Sequence, residues 1–282
     1  MMKNKGIIPI NKPQGWTSFD VVNKLKYKLK PLKVGHLGTL DPMATGVLLV
    51  TVGKATKLFD LMQEKTKTYV AKFEFGYETN TLDATGKVEK TCLTIPTEEE
   101  IKTILPQFVG EISQIPPKYS AKSINGKRAY DLARNNIEFE LKPKIVKIKA
   151  INVISFKNNI LELEIVCGSG TYIRSIGRDI AYALNSLATM TSLVRTQIDE
   201  FNVEDCYDIE NLENIADKII PIKSILNLPK LILDEQIKFK LLNGQRICVE
   251  QEDGIYLIED DYDVLALVLV NENIAKMSTF LG

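Results

Sequence analysis

The segment Val34-Gly35-His36-Leu37-Gly38-Thr39-Leu40-Asp41-Pro42-Met43-Ala44-Thr45-Gly46 places the one histidine of the chain five residues before an aspartate. Three glycines and an Asp-Pro step shape the backbone around this pair. Glycine tolerates positive φ, and proline fixes its own φ while pushing its predecessor out of the helical region. Because the segment runs into the apolar Val47–Val52, it reads as a tight loop holding one carboxylate at the mouth of a buried strand. Such a carboxylate either acts as a nucleophile or caps a turn. A nucleophile has to stay ionised, and a nearby arginine lowers a carboxylate pKa by roughly 1–3 units. Arg174, just after the glycine-rich Gly168-Ser169-Gly170, is the candidate; its other reading is a structural ion pair in the core. Tyr69 and Tyr172 offer aromatic faces, although half-buried packing also accounts for a tyrosine on an alternating strand. His36 could serve as a base.

Other chemistries lack their parts. Gly46 and Gly53-Lys54 suggest a P-loop, but the glycines are seven apart, Ala55 holds the Ser/Thr position and an apolar strand intervenes. Cys92, Cys167, Cys206 and Cys248 are far apart without a C-x-x-C pair, which argues for reduced structural thiols and against zinc. No G-x-S-x-G elbow is present for a serine hydrolase. A glycosidase would need two placed carboxylates, and Asp41 stands alone.

The elements that must position these residues follow from pattern. Ile7–Ile10 reads as a strand ending in the Asn11-Lys12-Pro13-Gln14-Gly15 turn. A helix is expected from Ser18 to about Lys30, with Thr17, Ser18 or Asp20 as N-cap and Phe19, Val22 and Leu25 as its apolar stripe. Val47–Val52 is a buried strand, followed by a helix to about Gln63. Lys67–Gly76 is a strand with Tyr69, Ala71, Phe73 and Phe75 on one face. Thr97 opens a helix to near Gly110. Residues 114–134 read as an exposed basic arm with a short helix over 129–134. Strands follow at 146–156 and 160–167, a helix from the glycine turn to about Leu184, and a strand at 191–196. Beyond Pro229 short strands with an Asn243-Gly244 turn suggest a small β-rich module. Strands and helices interleave irregularly, which predicts an α+β fold with a mixed sheet.

At 45% apolar and 26% charged residues, the composition is that of a globular chain. No apolar run approaches the roughly 20 residues of a membrane span, and the N-terminal apolar run is too short for a signal peptide. A cytoplasmic protein is therefore expected. Net charge is zero, but its distribution is uneven. Residues 1–75 carry 13 Lys/Arg against 5 Asp/Glu, and residues 118–149 carry 9 against 3. Residues 199–263 reverse this, with 17 acidic against 6 basic. Two basic blocks on an otherwise acidic chain point to a polyanionic partner.

Five segments together carry a resemblance. They are Asn11-Lys12-Pro13-x-Gly15-x-Thr17-Ser18, Gly35-His36-x-Gly38-Thr39-Leu40-Asp41-Pro42-x-Ala44-x-Gly46, Lys67-x-Tyr69, Thr79-x-Thr81-x-Asp83-x-x-Gly86 and Gly170-Thr171-Tyr172-Ile173-Arg174. In this order, over about residues 6–200, they resemble the bacterial tRNA pseudouridine-55 synthase family, TruB. The resemblance implies a pseudouridine synthase fold: a mixed, mostly antiparallel sheet flanked by helices over residues 1–225. It also implies a basic thumb insertion at about 116–146 that clamps the T arm of tRNA. Residues 226–282 would be a small, shortened PUA-like RNA-binding module. Asp41 matches the catalytic aspartate, Tyr69 the tyrosine that packs on the target base, and Arg174 the arginine paired with the aspartate. His36 matches a histidine filling the space left by the flipped nucleotide. Tyr172 and Leu193 match further lining of the base pocket, and Lys57 and Lys12 basic residues near the substrate. Leu37 stands where the family often has a small or polar residue.

The implied function is isomerisation of uridine 55 of the T loop to pseudouridine, by nucleophilic catalysis from Asp41 on a flipped-out base. The reaction exchanges a C–N bond for a C–C bond without redox change, so no cofactor or metal is expected. Flipping costs a few kcal/mol and aromatic stacking returns roughly 1–3 kcal/mol. The expected partner is tRNA, with no membrane, and the expected state a monomer. Two alternatives stand beside this: a non-catalytic RNA-binding or tRNA-folding protein, and a guide-RNA-dependent synthase subunit, whose usual extended C-terminal module the chain lacks.

Overall fold

The computed structural model describes residues 4–124, 126–135, 137–260 and 263–282. In chain order the elements are β1 (Gly6–Lys12), α1 (Ser18–Lys28), β2 (Val34–Leu37), β3 (Thr45–Val52), α2 (Phe59–Gln63), β4 (Lys67–Phe75), β5 (Tyr77–Thr79), β6 (Val88–Thr91), α3 (Glu98–Ile104), β7 (Gly110–Gln114), β8 (Ser123–Ile124), β9 (Lys127–Arg128) and α4 (Ala129–Arg134). They continue with β10 (Lys144–Lys157), β11 (Ile160–Cys167), α5 (Ile173–Ala183), β12 (Ala188–Ile198), β13 (Phe201–Asn202), β14 (Tyr207–Asp208), α6 (Glu235–Leu242), β15 (Ile247–Cys248), β16 (Gly254–Glu259), β17 (Val264–Asn271) and β18 (Ile274–Phe280).

A ten-stranded sheet runs β14-β1-β3-β12-β4-β11-β10-β7, with β13 added on β12 and β2 on β3. It is mixed but mostly antiparallel; β12 meets β3 in parallel, and β1 meets β14 in parallel. The expected α+β class with a mixed, mostly antiparallel sheet is what the chain forms. A separate four-stranded sheet, β15-β18-β17-β16, follows near the C-terminus.

The alternating β4 sequence buries Lys67, Tyr69, Ala71, Phe73 and Phe75 on one side, where the four apolar and aromatic residues join Leu161, Leu163 and Ile165 of β11. Over this face lies α5, burying Ile173, Arg174, Ile176 and Ile180. The approach is close. A Cβ on Gly177 would stand 2.1 Å from the Phe73 ring, so only glycine lets α5 settle on β4. A second apolar layer, Ile8, Ile10, Leu48 and Val50 with Val21 and Leu25, fixes α1 against β1 and β3.

Several local expectations change. Val34–Leu37 is not loop but a strand paired with β3, with His36 opposite Val50; its short alternation gains ladder hydrogen bonds from the long buried neighbour. α1 stops at Lys28, two residues short of the expected end, with Leu29 as C-cap ahead of Pro31. α3 covers only Glu98–Ile104, because Pro106 cannot donate the next helical bond and the chain continues as a 3₁₀ turn. Asn243-Gly244 does not join strands. It closes α6, the Asn243 side chain donating to the Phe239 carbonyl, since the same residue pair suits a helix C-terminus. Asn125 and Asn136 of the basic arm lie outside the described residues. Among the described residues no helix is long and apolar enough to cross a membrane.

Candidate active site

Asp41 leaves the sheet on the loop between β2 and β3. That loop is pinned from below by Lys12, which is fully buried. Lys12 Nζ donates to the carbonyls of Pro13 at 3.0 Å, Trp16 at 2.6 Å and Pro42 at 3.3 Å. From the side, Ser18 Oγ accepts from Leu40 N at 2.9 Å and Gly15 N donates to Pro42 O at 2.8 Å. The turn itself is closed by the Asp41 backbone, Ala44 N donating to Asp41 O at 3.0 Å. The carboxylate is therefore left free of turn capping.

It meets Arg174 as a fork. Arg174 Nε lies 2.9 Å from Asp41 Oδ2, and Nη2 donates to Oδ1 at 3.0 Å. Both oxygens accept from the guanidinium, the arrangement of an ionised carboxyl. Arg174 is itself 6% exposed and is fixed by Thr81 O at 2.9 Å and Tyr119 O at 3.1 Å, with Asp83 Oδ2 3.6 Å away. Burial raises the Asp41 carboxyl above the ordinary aspartate range. Arg174 pulls it back down, Asp83 adds to the rise and Lys12 opposes it. The net direction is opposite to the lowering expected from sequence, where the arginine was legible and the depth of the site was not.

Tyr69 stands on β4 beside this pair, 7% exposed, in one apolar cluster with Leu40 and Ala44 of the loop, Ile173 and Leu193. Burial raises its phenol, and the positive charge of the nearby Arg195 pulls the other way. Tyr172 is the N-cap residue of α5, bracketed by the Gln114 side chain. Gln114 Oε1 accepts from Tyr172 N at 2.9 Å, and its Nε2 donates to Tyr172 O at 3.2 Å. His36 is half-buried on β2, and its Nδ1 has no hydrogen-bond partner among the described residues. Burial, then the nearby Arg195, lowers its pKa, so the ring is neutral at pH 7.

Two predicted contacts sit differently. Lys12 spends its donors on three carbonyls beneath the loop, which makes it a support for Asp41 and takes its charge out of reach of a ligand. Burial is the main cause that lowers its pKa to about 8. Lys57 donates to the Phe280 carbonyl at 3.0 Å, holding the C-terminal strand.

Sequence reasoning missed Arg195, Asp83 and Gln114. Arg195 is 1% exposed in the middle of the sheet, donating from Nε to Val47 O at 2.7 Å and from Nη2 to Gly38 O at 3.2 Å. From its place opposite Tyr69 in the β12–β4 pairing it thus holds both ends of the Asp41 loop. Gly46 makes this possible: at φ +102° a Cβ there would stand 2.2 Å from the Arg195 carbonyl. The available signal was a charge at an inward position of an apolar strand. Asp83 is 4% exposed in a turn, its Oδ1 accepting from Thr81 Oγ1 at 2.8 Å and Thr85 N at 3.0 Å.

The basic arm starts against the site. Ile115 O accepts from Ser175 Oγ and from Arg178 Nη2, both at 2.9 Å, so the first turns of α5 hold the arm and Asp41 together. Beyond this base it forms the β8–β9 hairpin and α4.

A carboxylate held in a bidentate arginine fork, beside a buried tyrosine and an apolar cluster, has the parts for nucleophilic chemistry. Residues 24–173 match the family described as TruB family pseudouridylate synthase, N-terminal domain. A relative named tRNA pseudouridine synthase B, from Clostridium kluyveri, is 41% identical over 95% of this chain and 92% of its own length. One of the same name from Ureaplasma urealyticum is 45% identical over 74% of this chain and 93% of its own. A chain in the solved structure of an H/ACA RNP bound to a substrate RNA containing 2′-deoxyuridine superposes with a TM-score of 0.70, covering 98% of this chain and 85% of that one. At 22% identity that likeness is one of fold. Sequence match and length coverage together place this chain in the TruB family of pseudouridylate synthases.

Proposed function

We propose that the protein isomerises uridine 55 in the T loop of tRNA to pseudouridine. The observation that carries this is the Asp41–Arg174 fork beside the cluster that holds Tyr69 and Leu193, in a chain of this family. The target uridine is unstacked toward Asp41 and packed on Tyr69, with Tyr172 beside it and His36 occupying the gap left in the loop. The Asp41 carboxylate attacks the nucleoside, the N1–C1′ bond breaks and the uracil turns. C5 then bonds to C1′ and the bond to Asp41 breaks, returning the carboxylate, while the proton of C5 leaves to solvent and N1 takes one up. Atoms and electrons balance without an oxidant. The basic arm over residues 116–146 grips the T arm through its lysines and arginines, and the C-terminal module adds RNA contacts. The enzyme works as a monomer in the cytoplasm, where its substrate is.

The test is tritium release from tRNA labelled at uridine C5. The parent releases tritium in proportion to one site per tRNA, and release stops when that uridine is replaced by cytidine. Asp41→Asn, which keeps the shape but cannot attack, releases none while still binding tRNA. Parental release by Asp41→Asn removes the nucleophile assignment, and no release by the parent removes the enzymatic reading.

A further inference from the structure

Helix α1 carries a face that the catalytic reading does not use. Ser18, Val21, Val22 and Leu25 are buried. On the opposite side Phe19 and Tyr27 stand 63% and 77% exposed. Asn23 and Lys26 lie between them, so the four occupy i, i+4, i+7 and i+8 on one face. At 1.5 Å rise per residue the two rings are about 12 Å apart. Lys30, just past the helix, holds its Nζ 5.2 Å from the Tyr27 ring centroid, and Lys24 does the same over Trp16. Residues 18–33 contain five lysines and a single acid, Asp20, whose carboxylate accepts from Thr17 N at the helix start. Lysines alone would be an ordinary solvated face. Two large bare aromatic rings set among them are not, since rings gain nothing from water and the surrounding charge selects an anion that also has flat apolar faces.

The position of α1 relates this face to the catalytic loop. Its first residue, Ser18, is hydrogen-bonded to Leu40, the neighbour of Asp41. From there the helix runs away from the site for 11 residues, about 16 Å. The face therefore starts beside the catalytic loop at Phe19 and ends at Tyr27 and Lys30, at the far end of the helix. The T stem is base-paired and offers no free ring faces, and the T loop is engaged at Asp41, so stacking partners at the far end of α1 come from unpaired bases elsewhere in the folded tRNA.

We propose that the Phe19, Asn23, Lys26, Tyr27 and Lys30 face of α1 binds the tRNA outside its T stem-loop. The two rings stack on unpaired bases and the lysines contact phosphates. This rests on the tRNA reading above. The experiment compares the parent with Phe19→Ala/Tyr27→Ala and Lys26→Gln/Lys30→Gln, on full-length tRNA and on the isolated T stem-loop. All four side chains point to solvent, so the thermal midpoints stay parental. On full-length tRNA the aromatic pair raises KM about tenfold with kcat unchanged, as lost stacking requires. The lysine pair lowers the slope of log affinity against log salt by about 2 on the same RNA. On the isolated stem-loop both variants match the parent. Parental KM and salt slope on full-length tRNA overturn the proposal. So does an equal loss on both RNAs, which would put the face on the T arm. Failure of the parent to convert the stem-loop counts against the T-loop reaction itself and leaves the binding comparison on full-length tRNA to decide this face.

Discussion

Burial favours the neutral acid form of Asp41, while the two-pronged contact with Arg174 favours the carboxylate. In the proposed mechanism only the carboxylate attacks, and the raised pKa means that ionisation is completed above the ordinary aspartate value of about 3.9. Turnover therefore falls on the acid side, with a half-point above that value. Arg174→Gln removes the attraction that lowers the pKa, so the acid limb moves to still higher pH and the plateau drops by about 10²-fold or more. At the other end Lys12 titrates at about 8. Below that pH its three N–H donors match three carbonyls. Above it one donor is lost and the loop under Asp41 loosens, so kcat falls as pH rises through about 8. Lys12→Met has a lower plateau and no limb there. Single-turnover pH–rate profiles read both limbs. An unmoved acid limb in Arg174→Gln, or an alkaline limb that persists in Lys12→Met, would show that other groups titrate.

Among the elements, α5 does most to assemble the site. One helix presents Arg174 to Asp41, Ser175 and Arg178 to the base of the arm, and Gly177 to the sheet. The contact of Gly177 with Phe73 makes its height above β4 a matter of tenths of an ångström. Gly177→Ala forces helix or ring to move, costs roughly 1–3 kcal/mol of stability and shifts Arg174 off its fork, so kcat falls along with the urea midpoint. A variant with parental kcat would show that the fork tolerates the shift. Such dependence explains what could be read in advance. The strands β3, β4 and β11 were legible because burial of one or both faces imposes a period or an unbroken apolar run. Asp41 and Arg174 were legible because glycines and Asp-Pro mark unusual backbone. β2 was hidden, since four residues with a glycine look like loop until β3 lies beside them. Arg195 was hidden for another reason: its partners are backbone carbonyls of a distant loop, and a sequence does not print those.

At the scale of the molecule, the C-terminal sheet reads in sequence as a module of its own, and in space it shares a core with the catalytic body. Leu257, Val264, Leu267 and Leu281 pack with Ile7, Leu37, Leu49, Leu58 and Met62. Around this contact Lys5 donates to the carbonyls of Val264 at 2.7 Å and Leu281 at 2.8 Å, Lys54 donates to Gly282, and Lys57 donates to Phe280. Two kinds of attachment thus hold the sheet, and their magnitudes differ. Exposed charged contacts contribute about 0–1 kcal/mol each because water competes for the same partners. A fully buried leucine contributes about 1.5–3 kcal/mol, and a charge put in its place adds a desolvation cost of several more. The apolar seam should therefore dominate. Lys54→Met/Lys57→Met lowers the thermal midpoint by a few degrees at most, whereas Leu267→Asp, at a site 5% exposed, lowers it by more than ten or leaves the chain insoluble. Differential scanning calorimetry of the two variants separates them. If the lysine pair proved the more damaging, the sheet would be held mainly by its rim, and it could swing free of the body during tRNA binding, which a continuous apolar seam does not allow.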